Sequence, residues 1–247
     1  MQTKYDEELK KIDIYAKHPG FLPYIGDKYD EYRILHVGES HYIEQNVDDE
    51  KYGIEYFQDW WTGGCSEIDQ CFEGYFTRPV VEKYINSDGK GKFSIFNNFL
   101  KSFSRVVLNK EITITKKNEN RKLYEYMAFM NFFQMPAIYN KNGFQKSLWI
   151  SAKKAGDTKL AENTWKEACQ NAVETLDAVI DVINPEAVVI TSIDAGEIYK
   201  QNGRHQDLII ITSHPASPFS WNKPLKRLGG KTGKDVFEEG LKVIYKK

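Results

Sequence analysis

The chain has 247 residues, of which 41% are hydrophobic and 28% charged, with 34 basic side chains against 35 acidic ones. That balance belongs to an ordinary folded protein, and the net charge of −1 excludes a surface uniformly basic for nucleic acid. Cys65, Cys71 and Cys169 are too few for a disulfide framework, which points to the cytoplasm, and no apolar run reaches the roughly 18 residues of a membrane span.

The charged opening "MQTKYDEELKK" has no apolar stretch behind it, so a secretory leader is not expected. "EYRILHVGES" (31–40) reads as a strand broken at Gly38. From about 44 to 92 the chain is polar, aromatic and glycine-containing, with one short helix near "RPVVEKYIN". "FSIFNNFLKSFSRVVL" (93–108) repeats apolar residues at helical spacing, and "YEYMAFMNFFQMP" (124–136) is an apolar run closed by a proline, a second buried strand. "TWKEACQNAVETLDAVIDVIN" (164–184) is the clearest helix. Thr164 and Glu167 make a capping box, and the helix runs out at Asn184-Pro185. "EAVVITS" (186–192) is a strand, "DAGEIYKQNG" (194–203) a helix ending at Gly203, "DLIIITS" (207–213) the last strand, and "GKDVFEEGLKVIYKK" the closing helix.

Apolar strands alternating with helices predict one α/β domain over 1–247. It has three α/β/α layers, a short, mainly parallel central sheet and an insertion at about 43–90. In such sheets ligands sit at the carboxyl ends of the strands. Three of those ends carry polar groups where the apolar run stops: "GESHY" (38–42), "NFFQMP" (131–136) and "SHPASP" (213–218). Asn131 inside an apolar run needs either a ligand or a backbone network. His214-Pro215 either holds a ligand or makes a rigid turn. His36, on the strand itself, is expected to pack.

The order strand–"GESHY", strand–"NFFQ", helix–Pro–strand, strand–"SHPASP" resembles the uracil-DNA glycosylase superfamily. There a Gly-x-[Asp/Ala/Asn]-Pro-[Tyr/Gly] loop comes first and a His-Pro-Ser-Pro motif or variant comes second. The resemblance covers roughly 30–42 and 90–245. It implies hydrolytic release of a deaminated base, such as uracil, flipped out of DNA, without metal or cofactor. It assigns His214 as donor to the departing base and Asn131 as the amide that reads its edge. Gly38, Glu39, Ser40, His41 and Tyr42 become the first motif, Ser217 joins the base-binding set, and Phe93, or failing that Phe96, is the stacking ring. Ser40 falls where some families carry the water-activating Asp and His41 replaces the usual Pro, which leaves water activation to Glu39 or to other groups.

The acid-free stretch "KPLKRLGGKTGK" (223–234) then faces DNA phosphates through Lys223, Lys226, Arg227 and Lys231. Phe219, Trp221 or Leu225 would be the wedge entering the gap left by the flipped base. Two other readings remain open. One is a catalytically silent module that binds a nucleotide or nucleic acid. The other is a serine hydrolase with Ser40 as nucleophile, His214 as base and Asp194 as orienter, which Tyr42 and the polar residues after it disfavour.

Overall fold

The computed structural model describes residues 2–42, 59–61, 63, 76–87, 93–114, 119–137 and 143–245. Most of the segment expected as an insertion, 43–90, therefore lies outside the described residues, together with Cys65 and Cys71.

Two short helices, α1 (Asp6–Leu9) and α2 (Asp13–Lys17), lead to a two-residue strand, β1 (Tyr24–Ile25), and one turn of helix, α3 (Tyr29–Tyr32). None of these four is marked in the sequence by a long periodic run. β2 (Ile34–Tyr42) follows and passes through Gly38 without ending, so the expected break there is corrected. α4 (Thr77–Asn86) occupies the place of the short helix. α5 (Ser94–Val106) buries Phe96, Phe99, Leu100, Phe103 and Val106, the 3–4 repeat read from the sequence. A 3₁₀ segment (Glu119–Tyr126) opens onto β3 (Met127–Ala137), which is buried along its whole length.

α6 (Gly143–Ala155) is a helix the sequence reading did not mark. α7 (Thr158–Ile183) starts six residues before the expected Thr164. Gly156, in a left-handed conformation, separates the two helices, and the Asp157 carboxylate caps α7 by accepting from the Leu160 amide at 2.8 Å. Thr164 is instead a buried mid-helix residue, 2% exposed. Asp157 and Thr164 are both legitimate local start signals. Packing chooses the earlier one, because Ala161 is sealed in the core. The helix does end as expected, with Asn184 left-handed (φ 46°) before Pro185.

β4 (Ala187–Ile190), α8 (Ile193–Asn202), β5 (Ile209–Ile211), α9 (Pro218–Asn222) and α10 (Gly233–Tyr245) complete the chain. Gly203 stops α8 in an extended rather than left-handed conformation. Its missing side chain makes room for the Tyr199 ring, which a Cβ would meet at 2.4 Å.

The sheet order is β1-β3-β2-β4-β5, with β1 antiparallel to β3 and all other pairs parallel. One face is covered by α6, α7 and α8, through residues such as Leu148, Leu176 and Tyr199. The other is covered by α4, α5 and α10, through Tyr84, Phe99 and Phe237. This is a three-layer α/β/α fold with a mostly parallel central sheet. No helix among the described residues is long and apolar enough to cross a membrane.

From β2 the chain passes to β3 on one side, then returns past β2 to β4 on the other. That reversal leaves a crevice at the carboxyl end of β2, the place where such sheets bind ligands.

Candidate active site

The crevice is a cavity of about 290 Å³. Its polar lining is Glu39, Ser40 and His41 from the end of β2, Asn131 from β3, His214 from the loop after β5, and Thr77 from the first turn of α4. Val80, Ile95, Phe96 and Phe129 form apolar walls. Residues 39, 131 and 214 thus meet in one place, but Asn131 lies within β3 and not at its end as expected, because β2 and β3 stay paired beyond the last residue of β4. A water-excluding wall with a few fixed polar groups is the general form of a small-molecule site.

The backbone register explains how the amide gets there. Gly38 pairs with Asn131 across β2 and β3, and a Cβ on Gly38 would lie 2.3 Å from the Asn131 side-chain oxygen. Glycine is therefore required by the close approach of the amide, and not to end the strand. The Gln134 side-chain amide donates to the Asn131 backbone carbonyl, holding β3 at this point. Asn131 is 7% exposed, yet its own carboxamide bonds to no described residue. Ser40 is also 7% exposed, and its hydroxyl oxygen is buried without a hydrogen-bond partner. A fully buried polar atom of this kind costs free energy when left dry, which the Ser40 oxygen does here.

His214 has a defined tautomer. The Ala216 backbone N–H donates to its Nδ1 at 3.2 Å. The neutral ring therefore carries its proton on Nε2, the nitrogen left free to donate. Burial holds the ring's proton affinity below the ordinary histidine value, so the neutral form persists.

Glu39 points across the end of β2 toward α8. It accepts from the Ser192 hydroxyl at 3.2 Å, while Ser192 in turn caps α8. Burial pushes its carboxyl above the ordinary range; hydrogen bonds from Ser192 and the Phe144 backbone oppose this and the charge of Asp194 adds to it. Glu39 also lines a second cavity of about 300 Å³ on the opposite face of β2, beside Phe133 and Trp165. As a residue it therefore borders both spaces, with its carboxyl on the Ser192 side.

Other expected residues fall elsewhere. Phe93 does not line the cavity. It is the residue before α5, and its ring lies 5.4 Å from that of Tyr84, so the alternative Phe96 takes the wall position. Ser217 is outside the lining and caps α9 by accepting from the Ser220 amide at 3.3 Å. β2 includes Tyr42 in its backbone, but the Tyr42 side chain lies outside the described residues. His41 packs edge-on against Phe21 at 4.7 Å.

The basic stretch is largely tied to acids. Arg227 pairs with Asp194 and Glu197 on α8, both at 2.7 Å, and Lys231 pairs with Glu239 on α10. Lys223 lies over the Phe219 ring at 4.9 Å, and Lys226 has no acidic partner among the described residues. Of the three proposed wedges, Trp221 is excluded by burial, 3% exposed against Phe237. Leu225 is half-buried and bridged through its backbone to Lys231. Phe219 remains, 69% exposed.

The serine-hydrolase geometry is not assembled. Ser40 sits within a strand, in register with Phe133, and not on a strand-to-helix turn. Asp194, its proposed orienting acid, faces Arg227, while His214 Nδ1 accepts a backbone N–H and has no proton to give an acid. No group of three or more His, Cys, Asp or Glu among the described residues is placed to hold a metal. Cys169 is a free thiol which burial pushes up to about 12, far from a reactive thiolate.

Sequence reasoning missed Phe129, inside the apolar run of β3, and Thr77, Val80 and Ile95. All four are unremarkable in type, and the last three reach the cavity only through the packing of α4 and α5 over the sheet. Comparison of the chain with protein-family models, with curated proteins and with solved structures gives no match.

Proposed function

We propose that this protein binds a uracil-like base in the cavity at the end of β2 and hydrolyses its bond to the sugar of a DNA strand. The observation that carries this reading is the Asn131 carboxamide. It is buried, held by register over Gly38, and without a partner among the described residues. A carboxamide both donates and accepts, so it matches an edge that offers a carbonyl beside an N–H.

The remaining chemistry follows from the lining. Breaking the glycosidic bond leaves negative charge on the base, which a neutral Nε2–H of His214 meets as a fixed donor in a dry site. A cationic imidazole is not needed, and burial disfavours one there. Phe96 and Phe129 offer flat apolar walls to the ring. In this reading Glu39, whose carboxyl faces Ser192 beside the second cavity, orients water that reaches the site without passing the bound base. With its carboxyl raised above the ordinary range it is a stronger base once ionised. The similarity of "GESHY" and "SHPASP" to glycosylase motifs supports the same assignment. A second reading, binding without turnover, is favoured by Ser40 in place of a carboxylate.

The test is base release from uracil- and hypoxanthine-containing oligonucleotides, single- and double-stranded. Release should fall about 10²–10³-fold in His214→Ala, the usual loss for one transition-state donor. Release that survives His214→Ala unchanged would remove histidine from the mechanism. Binding of the base with no release from any substrate would select the silent module.

A further inference from the structure

The sequence places its basic residues for DNA in 223–234, but much of that charge is spent on α8 and α10. A cationic surface that joins Lys234, the last residue of that stretch, to Lys101 and Arg105 of α5 opens beside the cavity. Between α5, α9 and α10 lies a cleft of about 200 Å³ lined by Asn98, Lys101, Ser102, Arg105, Asn222 and Lys234, with Trp221 as its floor. Three cations and two carboxamides face one small space. The acids near it are Glu238 and Glu111. Glu238 accepts from Ser102 at 2.9 Å and pairs with Arg105, and it lies only at the 4.0 Å limit from Lys234. Glu111 is exposed and pairs with Arg105 alone. Lys101 has no acidic partner among the described residues. Two carboxylates thus stand against three cations, and the unmatched charge is half-buried. Like charges held at short range in a partly dry cleft repel, and a bound anion relieves them.

The cleft is coupled to the base cavity in two ways. Ile95 of the cavity wall and Asn98, Lys101, Ser102 and Arg105 of the cleft lie along one stripe of α5, at 3–4 spacing. A rise of about 1.5 Å per residue puts Lys101 roughly 9 Å and Arg105 roughly 15 Å along the helix from Ile95. Asn98 also donates to the Pro215 carbonyl at 2.8 Å, fixing the His214 loop to the same helix.

We propose that the cleft of Lys101, Arg105 and Lys234 holds a phosphodiester of the strand whose nucleotide occupies the base cavity. The ligand class is a backbone phosphate, met by two ammonium groups and a guanidinium, with Asn98 and Asn222 as neutral donors. The inference rests on the nucleic-acid reading of the neighbouring cavity but does not depend on turnover there.

The experiment measures binding of an undamaged single-stranded oligonucleotide against salt concentration, by fluorescence anisotropy. Lys101→Ala and Lys234→Ala should each weaken binding about tenfold at low salt, irrespective of base sequence. Each should also reduce the slope of log K against log [salt] by about 0.7. Lys101→Arg should restore both. Lys159→Ala, the same charge change at the start of α7 on the opposite layer, controls for net charge and should shift the slope far less. Slopes equal in Lys101→Ala, Lys159→Ala and the parent chain would overturn the proposal, as would absence of binding by the parent chain. A parallel titration with inorganic phosphate, read as thermal stabilisation, separates the two sources of such an anion. Stabilisation lost in Lys101→Ala while oligonucleotide binding is untouched would make the cleft a free-phosphate site and overturn the strand assignment. Because no base is released in this assay, an inactive enzyme that keeps the slope change leaves the cleft standing and rejects only the glycosylase reading.

Discussion

Two layers on one face of the sheet treat buried polar groups in different ways. In the inner layer His36, fully buried, receives a hydrogen bond at Nδ1 from the Tyr124 hydroxyl at 2.6 Å and approaches Thr191 Oγ1 through Nε2 at 3.1 Å. Thr191 gives its own proton to the Val37 carbonyl, so its oxygen accepts from Nε2–H and the tautomer of His36 is determined. The ring is stacked on Phe99 at 3.9 Å. In the outer layer, two and four residues further along the same strand, stand Gly38 and Ser40, with Asn131 beside them. There the residues are slightly less buried, at 7% exposed, and neither the Ser40 hydroxyl nor the Asn131 carboxamide has a hydrogen-bond partner among the described residues. The inner layer spends its polar groups on the fold. The outer layer does not, and the proposed binding site rests on that contrast.

The contrast is broken most severely by His36→Ala. It opens a hole in the aromatic cluster and strands the Tyr124 hydroxyl in a dry core. Loss of packing and of a satisfied network together should cost about 3–5 kcal/mol, measured by urea unfolding. A loss below about 1 kcal/mol would mean the chain of hydrogen bonds contributes little and the two layers are less distinct than their geometry.

Acid should weaken the inner layer next. Burial, with nearby His214 adding to it, holds His36 well below the ordinary histidine value, so the folded protein keeps this ring neutral. The unfolded chain protonates it below about pH 6.5. There the unfolded state binds more protons, so stability is complete above that pH and declines as pH falls, by about 1.4 kcal/mol per unit for this histidine. His214, lowered in the same direction and by burial alone, adds a smaller share because it is partly exposed. Unfolding curves between pH 7.5 and 5 should show the decline in the parent chain and retain most of it in His214→Ala. A flat profile in His214→Ala would place the titrating group in the outer layer instead.

These layers were unequally legible in the sequence. His36 reads as packed because it stands inside an apolar strand, and Asn131 draws attention for being polar in one. Both judgements are local and both agree with the geometry. Gly38 misled, because a glycine near the end of an apolar run signals a break, while its actual cause is a side chain 93 residues away in sequence. Phe93 and Phe96 are indistinguishable by spacing until α5 has a start, and Phe93 turns out to lie just before it. The basic stretch looked available because acid-free sequence says nothing of acids brought by other helices, here Asp194, Glu197 and Glu239. Lys101 and Arg105 were invisible for the opposite reason. They read as the polar face of an amphipathic helix, and only the placement of α10 turns that face into a cleft.

The smallest expected effect is the most discriminating. An orphaned hydroxyl in a dry cavity should be a burden to the folded state, and removing it should relieve that burden. Ser40→Ala is therefore expected to leave stability unchanged or raise it by up to about 1 kcal/mol, against the usual destabilisation of core substitutions. Affinity for a uracil-containing strand should fall at the same time by about tenfold, the worth of one hydrogen bond to a partner that has no other. The two readouts must move in opposite directions for the outer layer to be a site held at the expense of the fold. If Ser40→Ala instead destabilises by more than about 1 kcal/mol with affinity intact, the hydroxyl belongs to the inner layer's kind of chemistry, and the border between the layers lies one residue pair further along β2.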